Sequence, residues 1–133
     1  MPLDLRSLTP LLQVFDMPAS LAFYRDSLGF AVVGDVPPDD RADWVMLSHG
    51  GIEIMLNTRY EADDRPAEPH PASMMVHEDT SLYFGCPDID AAYAWLRERG
   101  LEPELPKIAP YGMRQMYLID PDGYVLCFTW PAQ

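Results

Sequence analysis

The 133 residues are 48% hydrophobic and 23% charged, an ordinary globular make-up that excludes a disordered chain, a collagen-like repeat and a coiled coil. Nine basic against 21 acidic side chains leave a net charge of −12, a field that repels phosphate backbones and anionic membranes, so neither nucleic acid nor membrane is expected as a partner. No run approaches the roughly 18 apolar residues that span a bilayer, and MPLDLRSLTP has neither the basic nor the apolar stretch of a signal peptide, so a cytoplasmic protein is expected.

The first apolar segment, LTPLLQVFD at 8–16, is bounded by Pro and Asp and predicts a strand. A helix follows, with Asp16 as N-cap, Pro18 in the first turn, Met17, Leu21, Tyr24 and Leu28 at helical spacing, and Gly29 as the stop. FAVVGDV at 30–36 predicts a second strand. After the polar turn PPDDRAD, the segment WVMLSHGGIEIMLN predicts two strands joined at His49-Gly50-Gly51. Residues 59–79 carry three prolines and many acids with little periodicity, which predicts an exposed, mobile connector. TSLYFGC then predicts a strand, and Asp88 caps a helix with the stripe Ile89, Tyr93 and Leu96, closed by Gly100. A short strand is expected around LEPEL and a loop at KIAPYG. RQMYLID and YVLCFTW predict two strands joined by the Asp120-Pro121-Asp122-Gly123 turn. Cys86 and Cys127 sit inside apolar runs without a CxxC neighbour and are expected as buried free thiols.

The order of elements is therefore β-α-β-β-β twice. An offset of 72 residues lays Asp16 on Asp88, Met17 on Ile89, Leu21 on Tyr93 and Tyr24 on Leu96, so cap and apolar stripe repeat together. The reading is one domain over 1–133, with module one at about 8–58, the connector at 59–79 and module two at about 80–130.

These paired units resemble the vicinal oxygen chelate superfamily, the glyoxalase, bleomycin-resistance and dioxygenase group. The resemblance is carried by VFDMPASLAFYRDSLGF at 14–30, CPDIDAAYAWLRERG at 86–100 and YGMRQMYLIDPDGYVLCF at 111–128. It implies an α+β fold in which two βαβββ modules form a half-open, eight-stranded, barrel-like cleft with helices outside, and a homodimer of such chains. It also implies four strand positions that hold a divalent metal in the enzymes of the group. Those positions fall on Thr9, Glu53, Ser81 and Cys127, of which Glu53 alone is a customary ligand. Neutral hydroxyls bind Zn, Ni, Fe or Mn weakly, and one carboxylate cannot hold such an ion tightly. His49 in a turn and His70 and His77 in the connector do not complete the set.

The expected protein is therefore metal-free and without a cofactor, binding a small organic molecule, with a cationic or aromatic antibiotic-like ligand as the leading class. The alternative is a metal-dependent lyase or dioxygenase of the same group. Strand alternation places Leu11, Gln13, Trp44, Met46, Glu53, Met55 and Tyr83 as candidate cleft residues, with core packing as the competing reading for the apolar ones. Glu53, a carboxylate inside an apolar strand, is paired, with Arg114 as candidate partner, or exposed to a water-filled cleft where, ionised, it attracts a cation, or shifted to its neutral form; as the candidate catalytic base of a metal-free enzyme it needs a dry pocket and a raised pKa. By resemblance to bleomycin-resistance proteins, the loop and strand residues Tyr111, Met113 and Arg114 border the crevice, Tyr111 by stacking and Arg114 by hydrogen bonding or by fixing a carboxylate. DPDG is turn chemistry without a catalytic role.

Overall fold

A computed structural model describes residues 2–60 and 63–133; the connector's residues 61–62 lie outside the described part. The chain is of mixed α+β class and divides into two compact units, Met1–Arg65 and Pro66–Gln133. Among the described residues there are eight strands in two four-stranded sheets and three α-helices.

In the first unit, β1 (Leu11–Val14) leads to α1 (Met17–Leu21), which widens into a π-helical turn over Ala22–Ser27. β2 (Ala31–Val36), β3 (Trp44–His49) and β4 (Ile52–Thr58) follow. The sheet order is β1-β4-β3-β2, with β1 parallel to β4 and the other pairs antiparallel. Asp16 caps α1 by accepting a hydrogen bond from the Ala19 N–H at 3.2 Å, as its position before Pro18 requires. The predicted single helix to Leu28 is overturned in its second half. Leu28 N–H bonds to the Phe23 carbonyl, five residues back, and the extra residue per turn brings Phe23 inside beside Tyr24. Leu12, Val14, Val45, Leu47, Ile54 and Leu56 share one face of the sheet and form the core with Met17, Leu21, Tyr24 and Phe30.

The second unit adds α2 (Pro71–His77) before repeating the plan: β5 (Ser81–Gly85), α3 (Ile89–Glu98), β6 (Lys107–Ile108), β7 (Met113–Ile119) and β8 (Val125–Pro131). The order β5-β8-β7-β6, with β5 parallel to β8, repeats that of the first sheet. Asp88 accepts from the Ala91 N–H at 3.0 Å, the counterpart of the Asp16 cap. Ile89 and Leu96 from α3 pack with Met116, Leu118 and Leu126.

Two expectations in this unit fail. α2 lies in the stretch predicted as an unstructured connector, and the short strand is β6 at Lys107–Ile108 and not LEPEL. Pro103 and Pro106 lack the N–H groups a ladder needs, so this segment keeps one sheet-like bond, from Glu104 N–H to the Tyr117 carbonyl at 2.8 Å. The helix is set by its contacts: His70 Nδ1 accepts from the Ala72 N–H at 3.1 Å, and at the other end His77 Nδ1–H donates to the Asp122 carbonyl at 2.6 Å. The His77 ring also stacks on Tyr124, with centroids 4.0 Å apart. Both cysteines are free, with Cys127 buried and Cys86 half-buried.

Candidate functional site

Each sheet has one face packed with its unit's helix and one that is not, and the second kind carries the unusual side chains. In the first sheet, the pairs Leu11 with Met55, Gln13 with Asn57, Trp44 with Asn57, Met46 with Met55 and Ser48 with Glu53 define this open face. Alternation thus gathers Gln13, Trp44, Met46, Glu53 and Met55 on one surface, opposite the buried Leu12, Val45, Ile54 and Leu56. Trp44, Met46 and Met55 are half-buried and Glu53 is exposed. The Trp44 indole lies against the backbone of Gly34, where an added Cβ would stand 3.4 Å from the ring. Asn57 Nδ2 donates to Gln13 Oε1 at 3.5 Å, tying two amides together beside the aromatic surface.

Glu53 makes no ion pair or hydrogen bond among the described residues. The pairing with Arg114 is overturned, because Arg114 Nη2 donates to Asp90 of α3 at 2.6 Å, within the second unit. Met113 and Gln115 fall on the open face of the second sheet, which leaves Arg114, between them, on the helix side. The structure therefore separates Arg114 from Tyr111 and Met113, which the sequence had grouped with it.

On the open face of the second sheet, Ser81, Tyr83, Met113, Gln115, Tyr117, Cys127 and Thr129 stand together. Gln115 is 7% exposed, and its Nε2 donates to the Tyr111 hydroxyl at 2.8 Å and lies 3.5 Å from Thr129 Oγ1, holding the loop tyrosine down onto the sheet. The Tyr83 and Tyr117 hydroxyls are 3.4 Å apart. That bond, and then burial, raises the Tyr117 phenol above its ordinary value. Gln115, Tyr117 and Asn57 were missed by sequence reading; alternation from Met113 along β7, and from Glu53 along β4, carried the signal.

The positions that the family resemblance assigns to a metal do not fit one. Thr9 and Ser81 offer neutral hydroxyls, Cys127 a single buried thiol, and Glu53 the one carboxylate of the set. Among the described residues no group of three His, Cys, Asp or Glu stands together as a metal cage. His77 has its Nδ1 on the Asp122 carbonyl, while His49 packs edge-on against Phe30 at 5.3 Å.

Two repeated β-α-β-β-β units, each with a helix-free sheet face carrying a few polar groups, define a class, and sequence comparison identifies it. The profile of the glyoxalase/bleomycin resistance protein/dioxygenase superfamily matches residues 7–128, and the chain belongs to that superfamily. It is 31% identical over 114 residues, 84% of each chain, to the uncharacterized protein YaeR of Escherichia coli strain K12. Among solved structures, it is similar to TnmS3, an antibiotic binding protein from Streptomyces sp. CB03234, with 27% identity, TM-score 0.65, and 96% and 98% of the two chains covered. A bleomycin-binding protein complexed with bleomycin shares the fold, with 22% identity, TM-score 0.69, and 94% and 98% covered.

Proposed function

We propose that this protein is a metal-free binder of a small organic molecule, working as a cytoplasmic homodimer that sequesters a cationic or aromatic antibiotic-like ligand. The observation that carries the reading is the open face of the first sheet. There a tryptophan, two methionines and a linked amide pair surround an exposed carboxylate that has no partner among the described residues. An indole and thioethers give a polarizable, ring-binding surface, the amides give orientation, and a carboxylate within a field of −12 favours a cation. The Tyr111, Gln115 and Tyr83 side chains offer a second surface of the same mixed kind. The donor set at Thr9, Glu53, Ser81 and Cys127 supports binding without a metal. The antibiotic-binding relative and the bleomycin complex support an antibiotic-like ligand for this chain also.

The test is metal content by elemental mass spectrometry after incubation with Zn, Ni, Fe(II) and Mn, followed by calorimetric titration with bleomycin and with cationic aromatic compounds. Metal near zero and saturable binding are expected, with Trp44→Ala weakening affinity about tenfold and Glu53→Gln by a few-fold. About one tightly held metal per chain would overturn the reading in favour of a lyase or dioxygenase. Unchanged affinity and pH dependence in Glu53→Gln would remove both the cation-attracting and the base roles of that residue. A mass of 15.1 kDa by light scattering at micromolar concentration would remove the dimer.

A further inference from the structure

The internal repeat builds the same cleft twice, on the helix side of each sheet and away from the open faces. In the first unit a cleft of about 270 Å³ is lined by Phe15, Met17, Asp43, Thr58, Tyr60 and Arg65. In the second, a cleft of about 430 Å³ is lined by Pro87, Ile89, Ile108, Arg114, Trp130 and Pro131. The 72-residue offset carries Phe15 to Pro87, Met17 to Ile89 and Thr58 to Trp130. Asp43 lies beside Thr58 and Arg114 pairs with Trp130, so the strand partners match as well.

The two copies are filled differently. In the first, the chain covers its own aromatic floor: Arg65 lies 5.3 Å above the Phe15 ring and 3.6 Å from Asp16, and Tyr60 packs edge-on against Phe15 at 6.2 Å. In the second, Trp130 remains 40% and Ile108 61% exposed. The one basic group in this apolar wall, the Arg114 guanidinium, gives Nη2 to Asp90, while its Nε–H is shut from solvent and meets no acceptor. A buried N–H without an acceptor is uncommon enough to need an explanation, and a ligand acceptor supplies one. The side chain as a whole is 34% exposed and lines the cleft.

We propose that this outer cleft is a second binding site, separate from the open sheet faces, for a flat aromatic molecule bearing an uncharged carbonyl. Its volume falls in the range of small-molecule pockets, and Pro87, Ile89, Ile108, Trp130 and Pro131 give it apolar surfaces beside Arg114, with Gln133 as a further polar lining residue. Trp130 and the two prolines provide flat surfaces for a ring, and Arg114 donates to the carbonyl oxygen. Charge selects the neutral ligand: Asp90 already balances the guanidinium, leaving a carboxylate no net attraction against a chain of −12, and a cation would face Arg114 itself.

The probe is 1-naphthamide, followed by the indole N–H resonances of Trp44, Trp95 and Trp130 in the full chain, the last assigned with Trp130→Phe. A saturable shift confined to Trp130 is expected, with 1-naphthoate and 1-naphthylmethylamine binding more weakly. Arg114→Met should weaken naphthamide about tenfold while leaving 1-methylnaphthalene unchanged, the signature of one lost hydrogen bond from a charged donor. Should the methionine variant not fold, Arg114→Leu, which likewise has no side-chain donor, should show the same selective loss. No saturable shift of Trp130, a shift at Trp44 in its place, equal loss for the amide and the hydrocarbon, or amide affinity untouched by either substitution would overturn the proposal.

Discussion

The hairpins that join the last two strands of each unit occupy equivalent places and live in different surroundings. Gly51 of the first and Gly123 of the second are 72 residues apart, with φ of 87° and 91°, and both turns demand a left-handed residue. Around Gly51 nothing lies within 4 Å of where a Cβ would sit. At Gly123 the Met74 carbonyl oxygen is 2.9 Å from that point, because α2 lies across the second hairpin. The residue after each turn follows suit: Ile52 is 39% exposed, while its counterpart Tyr124 is buried under the His77 ring. The same turn chemistry serves in one unit as a bare connection and in the other as a seat for a helix.

Substitution at the two glycines should break this comparison most strongly. Gly123→Ala combines left-handed strain with a backbone clash and is expected to cost about 3 kcal/mol, against about 1 kcal/mol for Gly51→Ala, in urea unfolding. Equal losses would mean that α2 does not sit on the second hairpin. His77→Ala removes one hydrogen bond and one ring stack, an expected loss of about 2 kcal/mol, with faster amide exchange over 71–77 and none over the first hairpin. The caps test where the units agree, since Asp16→Ala and Asp88→Ala should each cost about 1 kcal/mol.

The smallest effect is in alkaline solution. Tyr117 and Cys127 of the second sheet have values raised in the folded chain, so the unfolded chain releases its protons first. Their contribution is whole below the ordinary thiol value of 9.0 and is lost as pH rises past it and past the phenol value of 10.0. Tyr117→Phe should flatten that decline; a decline of unchanged steepness would place its origin elsewhere.

Much of the fold was legible because it rests on short-range rules. The caps at Asp16 and Asp88, the left-handed glycines and the period-two strands each depend on a few consecutive residues, and the structure has them where the pattern puts them. Features that depend on distant partners were not legible. α2 looked like connector because its seven residues bury no apolar stripe and leave Met75 and Val76 exposed, and what holds it is Asp122 and Tyr124, 45 and 47 residues from His77. The π-helical turn, which brings Phe23 inside, is likewise a response to packing. Of the candidate site, the first sheet's surface followed from alternation, whereas Arg114 was misplaced because one residue of register decides which face of β7 it takes.

The sequence by itself determined the duplicated β-α-β-β-β order, the helix ends and the residue sets of the first sheet's two faces, since local dihedral preference and apolar periodicity act within a few residues. Tertiary structure alone decided which partners the polar groups found: Arg114 with Asp90, Gln115 with Tyr111 and His77 with the Asp122 carbonyl. A hydrogen bond is a matter of a few tenths of an ångström and the right face, and those are fixed only once sheets and helices have packed.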